Sequence, residues 1–302
     1  LHLSAVVTFI KNGYEGLFET LGYKEIPERK TKSNTSYLYY TNKILEITEE
    51  GIKAIDYADF KGFIFDTQII PRDYVVNKKE GQFEDFTKKI SLEPNFNAFK
   101  SALGYLMHEY KDPSKSYAVV LNDKHFSVSQ IANGGRGKGL ICEGVSHMIK
   151  PSFGIDGKMF NSRENRFAFQ SYKQNSKVAF LTDCKPDFEF NDLNNIITND
   201  MTVEKKNTPA QTVLKKNSPK FLIDSNYLIK GEGTTYERRI SNLYLSDFFI
   251  KNDSFDYFGN NLFDEWTPAE WNKFDTFMSE CVQYFIINGK VKQEESTEND
   301  RR

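Results

Sequence analysis

Cysteine is scarce in this chain of 302 residues. The three present, Cys142, Cys184 and Cys281, lie far apart, and the four histidines share no ligand-like spacing with them. That argues against a disulfide framework and a structural zinc site, and it fits a reducing compartment such as a cytoplasm. Long apolar runs are missing too: no stretch approaches the roughly 18–20 residues of a membrane span, so no membrane partner is expected. The apolar opening "LHLSAVVTFI" lacks a basic leader and a small-residue cleavage site, and reads as a buried strand. A start at Leu1 rather than Met fits a chain cut from a longer polypeptide. No sign of charge dominates either. With a formal net charge of −2, any grip on nucleic acid must come from a local basic patch. What the chain does have is apolar mass, 39% hydrophobic and 15% aromatic, with 26 Phe and 16 Tyr. That excludes global disorder and is enough for one large or two smaller domains.

Short strand-like runs ("AVVTFI", "SYLYYT", "KILEIT", "GFIFDTQII") with polar turns make residues 1–75 a small α+β module. Residues 76–115 read as a helical segment, with Phe83, Phe86 and Ile90, then Phe96, Phe99, Leu103, Leu106 and Met107 at helical spacing before Pro113. From 116 to 250, buried strand candidates "YAVVL", "KVAFLTD" and "KFLIDSN" alternate with helical stretches such as "GKGLICEGVSHMI". The fold class expected is therefore α/β, a three-layer core with ligands at the carboxyl ends of its strands. Residues 251–290 read as a helical C-terminal segment. Thr267 would be the N-cap there, with Pro268 at the first turn and Glu270 closing a capping box. Residues 291–302 read as a flexible charged tail.

The stretch "ANGGRGKGLI" (132–141) approaches the phosphate-loop pattern G-x-x-x-x-G-K-[ST] but has Ala132 and Gly139 at two of its fixed positions. Asn133, Gly134, Gly135, Arg136, Gly137, Lys138 and Gly139 would cradle phosphates through backbone N–H groups at a helix start, with Lys138 reaching the β- and γ-phosphates. A chance glycine turn beside a lysine is the plain alternative. Asp183, ending "AFLTD", stands where a nucleotide-bound Mg²⁺ needs a carboxylate; an aspartate that merely ends a strand is equally common. Asn226 in "PKFLIDSN" is placed to orient an attacking water, or to make a turn. Arg238 and Arg239 precede the strand-like "ISNLYLS"; in an extended segment they would face opposite ways, one into a neighbouring subunit and one inward, or both into solvent. Lys205, Lys206, Lys215 and Lys216 sit in "NDMTVEKKNTPAQTVLKKN", a hairpin-like run suited to a phosphate backbone or simply to water.

The order of these elements resembles the superfamily 3 helicases, the hexameric AAA+ motors of small DNA viruses, phages and plasmids, often joined to a primase. The resemblance covers about residues 116–250. It is strongest where Phe188, Phe190, Leu193, Ile196 and Thr198 precede Val203 and Lys206, and where "SPK" (218–220) precedes Asn226 and Tyr227. The upstream "YTNKILEITEEGIKAIDYADFKGFIFDTQIIPRDY" also resembles the region preceding the motor in primase–helicases. The resemblance implies a P-loop AAA+ ATPase core using ATP and Mg²⁺, a homo-oligomer (a hexameric ring), single-stranded DNA as partner, a primase domain or protein nearby, and a bacterial host's cytoplasm. It assigns Lys138 to the β/γ-phosphates, Asp183 to Mg²⁺, Lys206 or Lys205 to DNA, Asn226 to the sensor role, and Arg238 or Arg239 to catalysis in trans. Two departures fall on the Mg²⁺ site. Gly139 brings no hydroxyl, and Asp183 is flanked by Thr182 and Cys184 in place of a second acid. A nucleotide-binding scaffold that hydrolyses weakly or not at all is therefore the second expectation. A small-molecule kinase fits poorly, because it leaves the lysine hairpin and the paired arginines unused.

Overall fold

The computed structural model describes residues 31–91, 94–123, 135–158, 160, 165–185, 188, 190–227, 229 and 233–294. The chain divides into two compact units, residues 1–30 with 61–64, and residues 31–60 with 65–302. All elements below belong to the second. The expected strand "AVVTFI" lies outside the described residues.

A three-stranded antiparallel sheet comes first: β1 (Ser36–Tyr39), β2 (Ile44–Ile47) and β3 (Ile52–Ile55). The third strand is not the expected "GFIFDTQII". Within that run, residues 66–68 form a 3₁₀ turn. Gln68 Oε1 accepts from the Phe65 N–H, and Asp66 Oδ1 from that of Thr67. Such local side-chain bonds compete with a strand ladder, and here they prevail.

Helices α1 (Gln82–Ser91), α2 (Phe96–Met107) and α8 (Pro268–Asn288), the last preceded by the short α6 (Phe248–Lys251) and α7 (Ser254–Phe258), pack with this small sheet. Phe83, Phe86 and Ile90 of α1 are fully buried, as their spacing predicts. Gly104 of α2 lies against the Cys281 carbonyl of α8, where an added Cβ would stand 2.0 Å away. Thr267 caps α8 through the Glu270 N–H, but the expected capping box is not closed. The Glu270 carboxylate instead accepts from the Gln82 N–H and pairs with Lys273, tying α8 to α1.

The main sheet has five parallel strands in the order β10-β4-β9-β6-β5: β10 (Ile240–Leu245), β4 (Ala118–Asp123), β9 (Lys220–Asp224), β6 (Val178–Thr182) and β5 (Ser152–Asp156). Side chains alternate between its faces. Val119, Leu121 and Leu222 meet α3 (Lys138–Met148) in the core that also holds α1, α2 and α8. Ala118, Val120 and Phe221 join Leu193 and Ile196 of α4 (Phe190–Thr198) in a second core. Helices thus cover both faces, the three-layer arrangement expected. β5 was not legible in the sequence, since Gly154 interrupts a short, half-exposed run.

At the amino end of this sheet, the Ser218-Pro219-Lys220 run stitches β9 to α2. Lys220 Nζ donates to the carbonyls of Tyr105 (2.6 Å) and His108 (2.5 Å). Lys111 Nζ donates to the Ser218 hydroxyl and to the carbonyls of Ser218 and Pro219. Burial, aided by Lys215 and Arg239, pulls Lys111 down from an ordinary 10.5 to about 7. Between those values the unfolded chain binds a proton that the native ammonium has released, so stability rises with pH there, by at most about 1.4 kcal/mol per unit from this group. Urea-unfolding midpoints should therefore climb from pH 7 to pH 9, and Lys111→Met should flatten the climb. A slope unchanged in that variant would remove Lys111 as its source.

Candidate functional site

Every strand of the parallel sheet ends at or beside an aspartate. Across the sheet these are Asp247 (two residues past β10), Asp123, Asp224, Asp183 (one past β6) and Asp156. Parallel register sets them along one edge, with Leu245 opposite Asp123, Leu121 opposite Asp224, and Thr182 opposite Asp156. Into this rim the loop before α3 delivers two cations. Arg136 bonds Asp247 at 2.7 Å through Nε and Asp123 at 2.9 Å through a terminal nitrogen. Lys138 Nζ bonds the other Asp123 oxygen at 2.8 Å, the Ser225 carbonyl at 3.3 Å and Asn226 Oδ1, and stands 3.7 Å from Asp224. Asp123, Arg136 and Lys138 are all buried.

Glycine makes the loop possible. Gly137 caps α3 in the left-handed region (φ 93°), and a Cβ there would meet the Phe86 ring at 2.5 Å. Both constraints exclude other residues. Gly135 is also left-handed at φ 97°. Gly139, by contrast, has open space where a Cβ would be. Above the loop lies a cavity of about 640 Å³, walled by residues 135–140, Glu143, Asp183, Asp224 and Asn226, and on the far side by Phe249, Asp253 and Ser254. Its size falls within the range of small-molecule sites.

Of the residues singled out in the sequence, Gly135, Arg136, Gly137, Lys138, Gly139, Asp183 and Asn226 share this cavity. Asn133 and Gly134 lie outside the described residues. Asp183 adopts φ 55° past its strand, and its exposed carboxylate has Lys158 at 3.4 Å. Cys184 is 2% exposed, and burial, then the charges of Asp224, Asp183 and Asp156, push its thiol up to about 12. It therefore cannot serve as a base; Thr182, which is exposed, is the neighbour that faces solvent.

Arg238 and Arg239 do not sit in an extended segment. They end the helix α5 (Gly233–Arg239) at the amino end of β10, the opposite edge from the cavity. Arg239 donates to the Ser116 carbonyl at 2.8 Å, whereas Arg238 is exposed, with its Nε on Thr234 of its own helix. Lys205 and Lys206 are exposed on the turn of an antiparallel hairpin, β7 (Met201–Val203) with β8 (Gln211–Val213), whose feet Met201, Val203 and Val213 are buried. Lys215 and Lys216 follow it in a 3₁₀ turn.

Sequence reading passed over Asp123, Asp224 and Asp247. The signal was available: "AVVLND" and "KFLID" end apolar runs in aspartate just as "AFLTD" does. Burial, then the charges of Asp183 and Asp123, raise the Asp224 carboxyl above its ordinary value against the pull of Lys138.

No known protein-family model matches the sequence, and no curated protein matches it. Among solved structures, the chain is similar to the apo structure of the NrS-1 C-terminal region, at 12% identity over 86% of this chain and 67% of that one, with a TM-score of 0.44. It is also similar to a ligand-bound JCV helicase, at 10% identity over 68% of this chain and 53% of that one, with a TM-score of 0.37. Both likenesses are weak, and what the site can do follows from its own side chains.

Among the described residues no helix is long and apolar enough to cross a membrane, and no three His, Cys, Asp or Glu side chains form a metal cage. The cavity wall does carry hard oxygen donors in Asp183 and Asp224. Mg²⁺ is held by such sets, with one or two carboxylates completed by phosphate oxygens and water. The residues therefore fit a Mg²⁺–phosphate ligand better than a bare ion.

Asp123→Asn should leave two buried cations short of a counter-charge, a loss of about 3 kcal/mol. Its melting temperature should fall, and added phosphate or sulfate should raise it more than that of wild type. Equal responses would mean that Asp123 does not neutralise the loop.

Proposed function

We propose that the chain is an ATP-dependent DNA helicase or translocase module of the superfamily 3 type, acting on single-stranded DNA in phage or mobile-element replication. The observation that carries this reading is convergence: Lys138, Asn226 and the strand-end carboxylates, far apart in sequence, meet around one cavity at a helix start. An ammonium beneath a glycine loop, at the positive end of α3, suits phosphate oxygens.

In this reading Lys138 exchanges its contacts with Asp123 and Asn226 for the β- and γ-phosphates of ATP. Asn226, freed from Lys138, orients the attacking water. Mg²⁺, when bound, would neutralise phosphate charge, held by Asp183. Arg238 is better placed than Arg239 to act in a neighbour's site, because Arg239 already holds the Ser116 carbonyl. Such action in trans needs a ring, a hexamer in this class. Lys205 and Lys206 on the hairpin would follow the DNA backbone, and a primase domain or protein would work alongside.

A second reading, a nucleotide-binding scaffold with little or no turnover, is favoured by two features: Gly139 has no hydroxyl, and the exposed Asp183 carboxylate already has Lys158 beside it. Turnover separates the two. The motor reading expects ATP hydrolysis stimulated by single-stranded DNA and abolished in Lys138→Ala; absence of ATP binding by wild type would refute both. Gly139→Ser, which has room for its side chain, should raise Mg²⁺-dependent turnover several-fold if the missing hydroxyl limits the rate. It should also stabilise α3 by about 0.5 kcal/mol. Steady-state ATPase assays and thermal melts read the two effects separately.

A further inference from the structure

We propose that Asp224 supplies the second carboxylate for the divalent cation of the bound nucleotide, the acid that is missing beside Asp183. The inference rests on the nucleotide reading above.

The five strand-end aspartates are not equivalent. Asp123 has both oxygens committed to Arg136 and Lys138. Asp247 holds Arg136 from the far edge. Asp156 accepts the Lys158 N–H, turning its carboxylate toward its own loop. Asp183 reaches the cavity, but with an exposed side chain drawn toward Lys158. Asp224 differs from all four. It is mostly buried, it faces the cavity, and its closest cation, Lys138, stands at 3.7 Å, beyond hydrogen-bond length.

Its place beside Asp183 is fixed by the backbone. Leu181 of β6 pairs with Ile223 of β9, so Thr182 and Asp224 come next across the same two strands. Just beyond, the Cys184 N–H meets the Asp224 carbonyl at 3.5 Å. Asp183, one residue past Thr182, and Asp224 therefore stand on neighbouring strand ends, and neighbouring strands lie about 4.8 Å apart. A second acid on the adjacent strand can do what a second acid on the same strand would do.

Charge points the same way. The rim holds five carboxylates, four of them within 4 Å of Arg136, Lys138 or Lys158 and the fifth, Asp156, on a backbone N–H. Bare triphosphate would meet that excess of negative charge, whereas a divalent ion between phosphate and Asp224 would relieve it. Nucleotide binding should thus depend strongly on Mg²⁺.

The test uses the full chain and a fluorescent, non-hydrolysable ATP analogue, titrated with and without Mg²⁺, alongside Mn²⁺ binding followed by electron paramagnetic resonance. Wild type should bind the analogue more tightly with Mg²⁺. Asp224→Asn should lose about 10-fold or more of Mg²⁺-dependent affinity and of nucleotide-supported Mn²⁺ binding, with metal-free affinity unchanged or improved. Asp224→Glu, which keeps the charge, should recover part of the loss, and it carries the comparison if the Asn variant does not fold. An Asp224→Asn protein with the full Mg²⁺ gain would overturn the proposal, as would a wild type indifferent to Mg²⁺. A wild type that binds no analogue under either condition overturns the nucleotide reading itself, a distinguishable failure.

Discussion

The ion pairs of Asp123 with Arg136 and Lys138 are the constraint on which the rest of the site depends. A parallel sheet brings its strand ends together on one edge, and here those ends carry acids. Left alone, such a row would repel itself and resist burial. The loop before α3 supplies the two cations that make the edge tolerable, and Asp123 is the carboxylate they share. The loop is fixed in turn by sterics. Gly137 must be left-handed and must lie against Phe86 of α1, so packing in the core sets where Lys138 begins. A single salt-bridged carboxylate thereby connects helix packing, loop conformation and the geometry of the cavity.

The two ends of the sheet solve the problem of buried charge in opposite ways. At the carboxyl end, cations meet carboxylates. At the amino end, Lys111 and Lys220 are satisfied by carbonyl and hydroxyl oxygens of Ser218, Pro219, Tyr105 and His108. Burial pushes both ammoniums down, and His108 falls to about 3 through burial and the nearby Lys220. The Ser-Pro-Lys run that helped to mark the sequence is therefore structural here: it anchors the start of β9, the strand whose other end carries Asp224 and Asn226. The motif's first residues hold the strand, and its last ones line the cavity.

Much of this was legible in the sequence because it is local. Continuous apolar runs gave β4, β6 and β9, helical spacing gave α1 and α2, and glycines before a lysine gave the loop. The lysine-bearing turn between two short β-branched runs gave the hairpin. What escaped was decided by partners elsewhere. Glu270 looks like half of a capping box, yet its carboxylate is drawn to α1 by the Gln82 N–H. Arg238 and Arg239 precede an apolar strand but finish a helix first. Ile52–Ile55 alternates too weakly to signal a strand until β2 pairs with it. The pairing of Lys138 with Asp123 could not be read at all, since it exists only once two distant segments share an edge.

That pairing also shapes how the site would meet a ligand. Lys138 is not an idle ammonium awaiting phosphate; it already has a carboxylate, an amide oxygen and a carbonyl. A phosphate must replace those partners, so the net gain is the difference between two good sets of contacts rather than the full strength of one. The displaced groups then have work: Asp123 keeps Arg136, Asn226 is released toward the cavity, and Asp224, which already faces it, loses the ammonium nearby. With the cation held as proposed, an open position at Gly139 would be tolerable, because the oxygen donors would come from strand ends instead of the helix start. Exchange at Lys138 would in this way couple occupancy of the cavity to the orientation of the groups that act in it, without any movement of the sheet.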